Sequence, residues 1–182
     1  MANVNVVSDE QAHYEQLYRQ HYARVMRLCR VLLADSHEAE DVAQEVFIKL
    51  LQASKTETRA MAWEPWLTRV TVNACHDRRR SGWWKWWRAP RSTADDVAPS
   101  VPDFPGHSPT PEEEALNREA RGHIWQAFRA LSARQQEVFV LRYLEGWSTE
   151  AVADALGLSL GSVKQHLFRA VQHLRAVIGG EA

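Results

Sequence analysis

A stretch near the C-terminus combines cationic, amide and hydroxyl side chains in a pattern that suits binding to nucleic acid. From Ser159 to Ile178 there is no aspartate or glutamate, whereas lysine, arginine, histidine and glutamine recur on the helical period. Cationic side chains meet phosphates, and side chains that donate hydrogen bonds read base edges. The side chains that we expect to contact DNA are Ser162, Lys164, Gln165, His166, Phe168 and Arg169.

Local signals predict three helices that position this stretch. Ser132-Ala133-Arg134-Gln135 has the form of a capping box at the start of the first helix. Ser148 can cap a short second helix, which ends at Gly157 because glycine readily adopts the positive φ of a helix C-terminus. Ser159 can cap a third helix to about Ile178. The last two helices form a predicted helix-turn-helix, although a soluble helical hairpin with a basic edge would show a similar pattern.

A second polar and basic surface is predicted far away in sequence, on a helix from Trp63 to Arg80. Pro65 is compatible with the first turn of a helix, and the helix ends in three consecutive arginines. A run of cations is often only a solvated helix end, so this surface does not by itself indicate DNA binding.

The two helices before it are predicted from about Asp9 to Ala34 and, after a cap at Asp35 or Ser36, to about Ala53. The second of these helices has a complete apolar stripe, from Ala39 to Leu51. Its opposite face is acidic, which is unusual for a protein that binds DNA. The polar residues of that face are Glu38, Glu40, Asp41, Gln44 and Glu45.

Composition narrows the classes of function. The 182 residues contain 22 Lys plus Arg and 23 Asp plus Glu, so this is not a nucleic-acid binder that relies on bulk positive charge. We find no signal-peptide pattern and no apolar run long enough to span a membrane, and we expect a cytoplasmic protein. We predict that Cys29 and Cys75 are free thiols packed in the core, and a redox switch is the less favoured alternative. No metal-ligand spacing, cofactor motif or catalytic nucleophile–base pair is evident.

Residues 81–110 differ in character from the rest of the chain. They contain five of the seven prolines and, after Trp87, no amphipathic period, which predicts a flexible linker. This segment contains half of the eight tryptophans, which could pack on the first domain, dock on a partner or touch bases. The four tryptophans are Trp83, Trp84, Trp86 and Trp87.

The predicted fold is all-α, with two small helical bundles joined by this Pro-rich linker. The N-terminal bundle covers residues 1–80, and the C-terminal bundle, which contains the helix-turn-helix, covers residues 111–182. A capping box with proline at the first helical position, Thr110 to Glu113, starts the C-terminal bundle. Apolar residues predicted to face inward there include Ile124, Leu144 and Leu160.

Four motifs in order around the linker resemble the sigma factors of the extracytoplasmic-function type, a two-domain class of bacterial transcription initiation factors. The motifs are Asp41 to Phe47, Trp66 to Asn73, Leu131 to Gln135 and Gly161 to Ala170. The resemblance implies a promoter-specificity subunit, not an enzyme, without cofactor or metal. Its implied partners are core RNA polymerase, promoter DNA and an anti-sigma factor, and the free protein is expected to be a monomer.

The resemblance also implies roles for residues. The acidic helix resembles the segment that binds the polymerase clamp helices, with Asp41, Gln44, Glu45 and Lys49 as its contacts. The helix from Trp63 resembles the part that melts and reads the minus-ten element, with Asn73 on a flipped base. The DNA contacts implied there are Trp63, Trp66, Arg69, Asn73, His76, Arg78, Arg79 and Arg80. The helix-turn-helix resembles the domain that reads the minus-thirty-five element, with Lys164, Gln165 and Arg169 as the best readers.

Two other functions fit parts of the sequence. A stand-alone helix-turn-helix regulator would bind duplex operators tightly as a dimer, with residues 1–80 as a sensing domain. An adaptor that only mimics sigma helices would lack the base-reading positions, which are present in both halves of this chain.

Overall fold

The computed structural model describes residues 3–33, 35–56, 61–81 and 111–179, except for the side chains at 3–10, 56, 111–119 and 178. The chain divides into two compact units, at the boundary between Ser92 and Thr93. The predicted linker and its four tryptophans lie outside the described residues, as does the predicted cap at Thr110. Within the described residues the regular structure is entirely helical, as the sequence predicts.

The N-terminal unit consists of α1 (Asn3–Leu33), α2 (Ser36–Thr56) and α3 (Trp63–Arg80), each of which packs against the other two. Helix α1 begins at Asn3, six residues before the predicted start near Asp9. Helix α2 is also longer than predicted, because it continues past Ala53 to Thr56. The Asp35 carboxylate accepts a hydrogen bond from the Glu38 backbone N–H at 2.9 Å, which confirms the predicted cap.

The core of this unit is formed by the predicted apolar stripes. Leu28 and Leu32 of α1, Val42 and Val46 of α2, and Leu67 of α3 are almost completely buried. Full burial of an aliphatic side chain contributes about 1.5–3 kcal/mol, so these stripes dominate the packing of the three helices. The two cysteines are also fully buried and free, as the sequence predicts for packed thiols.

The C-terminal unit contains α4 (Pro111–Ala130), α5 (Ala133–Phe139), α6 (Thr149–Leu156) and α7 (Leu160–Gly179). A π-helical turn, Val140–Leu144, extends α5. Helix α7 packs against α4, α5 and α6, so it is the central element of the unit.

Three apolar residues predicted to face inward in this unit are exposed instead. Ile124, Leu144 and Leu160 are 44%, 44% and 43% exposed. For Leu144 the cause is the π-helical turn, which has more residues per turn than an α-helix and so moves this side chain away from Leu141. For Ile124 and Leu160, the helical period predicts the direction in which the side chain points. It does not predict whether a neighbouring helix extends far enough to cover that side chain.

Candidate polymerase and DNA interfaces

Helix α2 presents a polar face opposite its buried stripe. Asp41, Gln44, Glu45 and Lys49 are all exposed, and Glu40 beside them is exposed as well. Spacings of three and four residues relate Asp41 to Gln44 and Glu45, and Glu45 to Lys49, so these side chains form one continuous surface. The four residues predicted to contact a partner protein are therefore accessible together.

Helix α3 carries a second accessible stripe. Trp66, Arg69, Asn73, His76 and Arg80 follow one another at alternating spacings of three and four, which places them on one face of the helix. Arg69, Asn73 and Arg80 are exposed, whereas Trp66 and His76 are partly buried. The opposite face of α3 is buried in the core. This arrangement presents an amide and two guanidinium groups along about three turns of one helix.

The start of this stripe is aromatic. The rings of Trp63 and Trp66 meet edge to face with centroids 5.8 Å apart, and the His13 ring lies 6.2 Å from that of Trp63. Both tryptophans are partly buried, so their conformations are supported by neighbours while part of each ring remains accessible. Aromatic faces of this kind can stack on unpaired bases.

Helix α3 is held to both neighbouring helices by arginines. Near its N-terminus, Arg24 of α1 lies 2.8 Å from the Glu64 carboxylate and donates a hydrogen bond to the Thr68 hydroxyl at 2.8 Å. Near its C-terminus, Arg78 donates to the carboxylates of Glu38 and Glu45, both on α2, at 2.8 and 2.5 Å. Sequence reasoning missed these contacts, because they join residues 33 to 44 positions apart.

The three consecutive arginines of α3 therefore have different environments. Arg80 is exposed on the face of Asn73, and Arg79 is partly buried. Arg78 is bound by two carboxylates on the opposite side of the helix. Burial acts to lower the pKa of Arg78, but the two carboxylates more than offset this effect and the pKa is raised, so the residue remains charged.

The helix-turn-helix has the predicted caps. The Ser148 hydroxyl accepts from the Ala151 N–H at 3.1 Å, and the Ser159 hydroxyl accepts from the Ser162 N–H at 3.1 Å. Gly157 ends α6 with φ of +62°, as predicted from its position. The α5 capping box is also confirmed, since the Ser132 and Gln135 side chains each bond the backbone N–H of the other residue.

Helix α7 exposes four of the residues predicted to contact DNA. Lys164, Gln165, Phe168 and Arg169 are exposed and lie on one face of the helix. Phe168 is 65% exposed, the highest value among the exposed large apolar side chains of the described residues. Lys164 also lies near Glu150 of α6. The pKa of the Glu150 carboxyl is lowered, first by hydrogen bonds to its own backbone and to Ser148, and less by the charges of Lys164 and Arg142.

The other two predicted contacts on α7 are less available. The Ser162 hydroxyl lies 2.9 Å from that of Ser159, within the helix cap. His166 is partly buried, and its Nδ1 atom is inaccessible and has no hydrogen-bond partner among the described residues. Burial lowers the pKa of His166, the charges of Arg169 and Arg134 lower it further, and Glu137 opposes them. His166 therefore faces the interior of the unit more than the exposed face of α7.

Two buried polar residues support this unit, and sequence reasoning did not identify them. The Gln136 amide donates to the backbone carbonyls of Phe128, Arg129 and Leu131 at 3.0, 3.2 and 3.1 Å, and thereby caps the C-terminus of α4. Glu137 is fully buried, and its carboxylate lies 2.9 Å from Arg134. Gln136 and Glu137 directly precede the apolar run that begins at Val138, and the capping box one turn earlier was the only available signal that this turn packs against α4.

No helix in the described part of the chain is long and apolar enough to cross a membrane. The same residues contain no cluster of three or more potential metal ligands.

Comparison with known proteins shows that two regions of the chain match family models. Residues 17–85 match the family model for sigma-70 region 2, and residues 121–174 match the model for sigma-70 region 4. The first match includes the exposed faces of α2 and α3, and the second includes α6 and most of α7, as far as Leu174.

Relatives match over most of the chain. It is 32% identical over 182 residues to the ECF RNA polymerase sigma factor SigL of Mycobacterium tuberculosis, covering 98% of this chain and 96% of SigL. It is 30% identical over 162 residues to the ECF RNA polymerase sigma factor SigE of Mycolicibacterium smegmatis, covering 89% of this chain but only 60% of SigE.

A solved structure shares the fold. The sigma factor RpoE of Bartonella quintana, crystallised with the anti-sigma factor NepR, matches with a TM-score of 0.63 at 20% identity, over 92% of this chain and 97% of RpoE. The two region matches and the full-length similarity to SigL agree with each other. This chain therefore belongs to the extracytoplasmic-function family of RNA polymerase sigma factors.

Proposed function

We propose that the chain binds core RNA polymerase and directs it to promoters, with the N-terminal unit on the minus-ten element and the C-terminal unit on the minus-thirty-five element. The observation that carries this proposal is the pair of different faces on one three-helix unit: an acidic face on α2 and an amide- and arginine-bearing face on α3. An acidic face repels DNA and suits a protein partner, whereas the face of α3 suits a nucleic acid.

On α2, the proposed polymerase contacts are Asp41, Gln44, Glu45 and Lys49, which are accessible together. On α3, Asn73 would bind a base flipped from the non-template strand, with hydrogen bonds from its amide offsetting the cost of unstacking. Trp63 and Trp66 would stack near the opened strand, and Arg69 and Arg80 would meet its phosphates.

On α7, the exposed face would enter the major groove. Glutamine pairs well with adenine and lysine with guanine, so Lys164 and Gln165 would select the upstream bases. Arg169 would add a base or phosphate contact, and the exposed Phe168 ring suits an apolar contact with a thymine methyl group. Ser162 and His166 would contribute through the cap and the interior of the unit rather than as direct readers.

We further propose that an anti-sigma factor controls the chain, as the complex of RpoE with NepR suggests for a protein of the same fold. In this function the chain acts by binding alone and has no catalytic step of its own. The stand-alone regulator is disfavoured, since the similarity to SigL extends over both units.

In vitro transcription with purified core polymerase and a genomic promoter library tests the proposal. We expect the chain to produce transcripts from a small set of promoters that core polymerase alone does not use. Absence of any chain-dependent transcript, together with failure of the chain to bind core polymerase, would contradict the proposal.

A further inference from the structure

We propose that Arg78 is a positioning residue that fixes the C-terminal end of α3 on α2, and that Arg80 provides the phosphate contact at this end of the helix. This inference rests on the proposed function of α3 at the minus-ten element. It assigns different roles to two arginines that stand two positions apart in the sequence.

The direction of the Arg78 side chain is the first argument. With 3.6 residues per turn, Arg78 lies about 140° around the helix axis from Asn73, whereas Arg80 lies within about 20° of it. Arg80 is exposed, in agreement with this geometry, and the Arg78 side chain is only 22% exposed. A DNA strand bound along the Asn73 face would therefore meet Arg80 and not Arg78.

The partners of Arg78 are the second argument. Its two terminal nitrogens bind Glu38 and Glu45, one carboxylate each. These two acids are seven residues apart on α2, so the guanidinium joins two positions on one face of that helix that are about two turns apart. Two carboxylates against one guanidinium leave a local net negative charge, which repels a phosphate.

The geometry of the guanidinium explains why an arginine is suited to this position. Its planar, forked donors hold two acceptors in a defined direction, which a single ammonium group cannot do. The Glu38 side chain is 13% exposed, so water competes weakly for its half of the bridge. The bridge therefore restrains the rotation of the last turn of α3, which presents Arg80 to the strand.

The bridge also joins the two proposed interfaces. Glu45 belongs to the α2 face proposed to bind polymerase, and its side chain is half exposed while it accepts from Arg78. The orientation of the DNA-facing helix is thus tied directly to the polymerase-facing helix by one pair of side chains.

The test measures binding of the holoenzyme to a fork DNA with a single-stranded minus-ten non-template strand, at several salt concentrations. Arg80→Gln and Arg78→Gln remove the same charge from the same helix turn, so each is the matched control for the other. One lost contact to a single-stranded phosphate reduces the slope of log K against log salt by about 0.7. We expect this reduction for Arg80→Gln only.

For Arg78→Gln we expect an unchanged slope and a loss of open-complex formation of roughly two- to 150-fold, since coupled contacts of this kind are worth about 0.5–3 kcal/mol. A slope reduced by about 0.7 in Arg78→Gln would overturn the proposal, as would open-complex formation equal to that of the unmodified chain.

Glu38→Gln provides a milder variant if Arg78→Gln does not fold. It leaves every cation in place and removes one carboxylate from Arg78. If Arg78 is a positioning residue, Glu38→Gln should weaken open-complex formation. If Arg78 instead binds a phosphate, the loss of its carboxylate partner should make the holoenzyme bind the fork DNA more tightly. Tighter binding would overturn the proposal.

The double variant Glu38→Gln with Arg78→Gln should lose little beyond either single change, because both changes break the same contact. Losses that simply add would contradict the bridge. Failure of the unmodified holoenzyme to bind the fork DNA would instead indicate that the proposed function itself is wrong.

Discussion

Asn73 stands at the middle of the exposed stripe on α3, with Arg69 and Arg80 on either side of it. Its carboxamide has both donors and an acceptor, so it can bind the hydrogen-bonding edge of an unstacked base. The buried residues around it, Val72 and Ala74, hold the backbone at this position in the core.

Asn73→Ala should reduce open-complex formation while binding to core polymerase remains near normal, because the residues proposed to contact polymerase lie on α2. Permanganate reactivity of promoter thymines measures opening, and a pull-down of core polymerase measures binding. Gln20→Ala, an exposed amide on α1, is the matched control. Equal loss of opening and of polymerase binding would contradict the role of Asn73 in binding a flipped base.

Lys164 is exposed on the face of α7 that also carries Gln165 and Phe168. Lys164→Ala should relax the preference for one or two upstream base pairs, at a cost of about 1–3 kcal/mol for a good base contact. Binding to a library of minus-thirty-five variants measures this preference. A uniform loss across all sequences would show that Lys164 touches only phosphate.

At the scale of an element, α2 separates a completely buried stripe from a continuous polar face. Because the polar face carries more acidic than basic groups, we expect cationic groups on its partner. Reversal of this charge should therefore weaken the interface without disturbing the core of the unit.

Asp41→Arg with Gln44→Arg should weaken binding to core polymerase at least tenfold, since like charges placed across an interface cost several kcal/mol. Gln16→Arg with Gln20→Arg adds two cations to exposed positions of α1 and serves as the control. Unchanged retention of polymerase by the α2 variant would refute the assigned surface.

Helix α4 depends on an interaction from outside its own sequence. The Gln136 amide binds three carbonyls at its C-terminal end, and the residue is fully buried. Gln136→Ala would leave these carbonyls without this donor, in a space that is too confined for free solvation.

We therefore expect Gln136→Ala to lower the free energy of unfolding of the C-terminal unit by about 1–3 kcal/mol. Chemical denaturation followed by circular dichroism measures the change. Gln126→Ala, an exposed glutamine on α4, should have almost no effect. Equal effects of the two substitutions would show that the cap contributes nothing.

At the scale of the whole molecule, the net charge of −1 limits what the chain can do alone. A protein without bulk positive charge obtains little affinity from counterion release. In the proposed function, joining two small DNA-binding units to polymerase makes the second contact intramolecular, and this tethering supplies the affinity that each unit lacks.

The free chain should consequently bind duplex promoter DNA weakly, with a Kd of about 1–100 µM at physiological salt, in the range of non-specific binding. Fluorescence anisotropy with labelled promoter DNA measures the Kd, and sedimentation measures the oligomeric state, which we expect to be monomeric. Nanomolar binding by a dimer would favour the stand-alone regulator instead.

The sequence by itself predicted the features that depend on nearby residues. The caps at Asp35, Ser132, Ser148 and Ser159 and the left-handed Gly157 each involve atoms within a few positions, and all are confirmed. The helical period of α2 likewise predicted its buried stripe, since the period sets which residues share a face. The family motifs also predicted that the chain belongs to the sigma factors of the extracytoplasmic-function type.

Only the tertiary structure decided which distant side chains meet. The sequence presents Arg78, Arg79 and Arg80 as one basic run, but packing of α3 on α2 joins Arg78 to two acids and leaves Arg80 exposed. Packing likewise turned His166 toward the interior and left Leu160 exposed. The physical reason is that these outcomes depend on the angle and extent of helix contacts, which arise from the whole core and not from any local pattern.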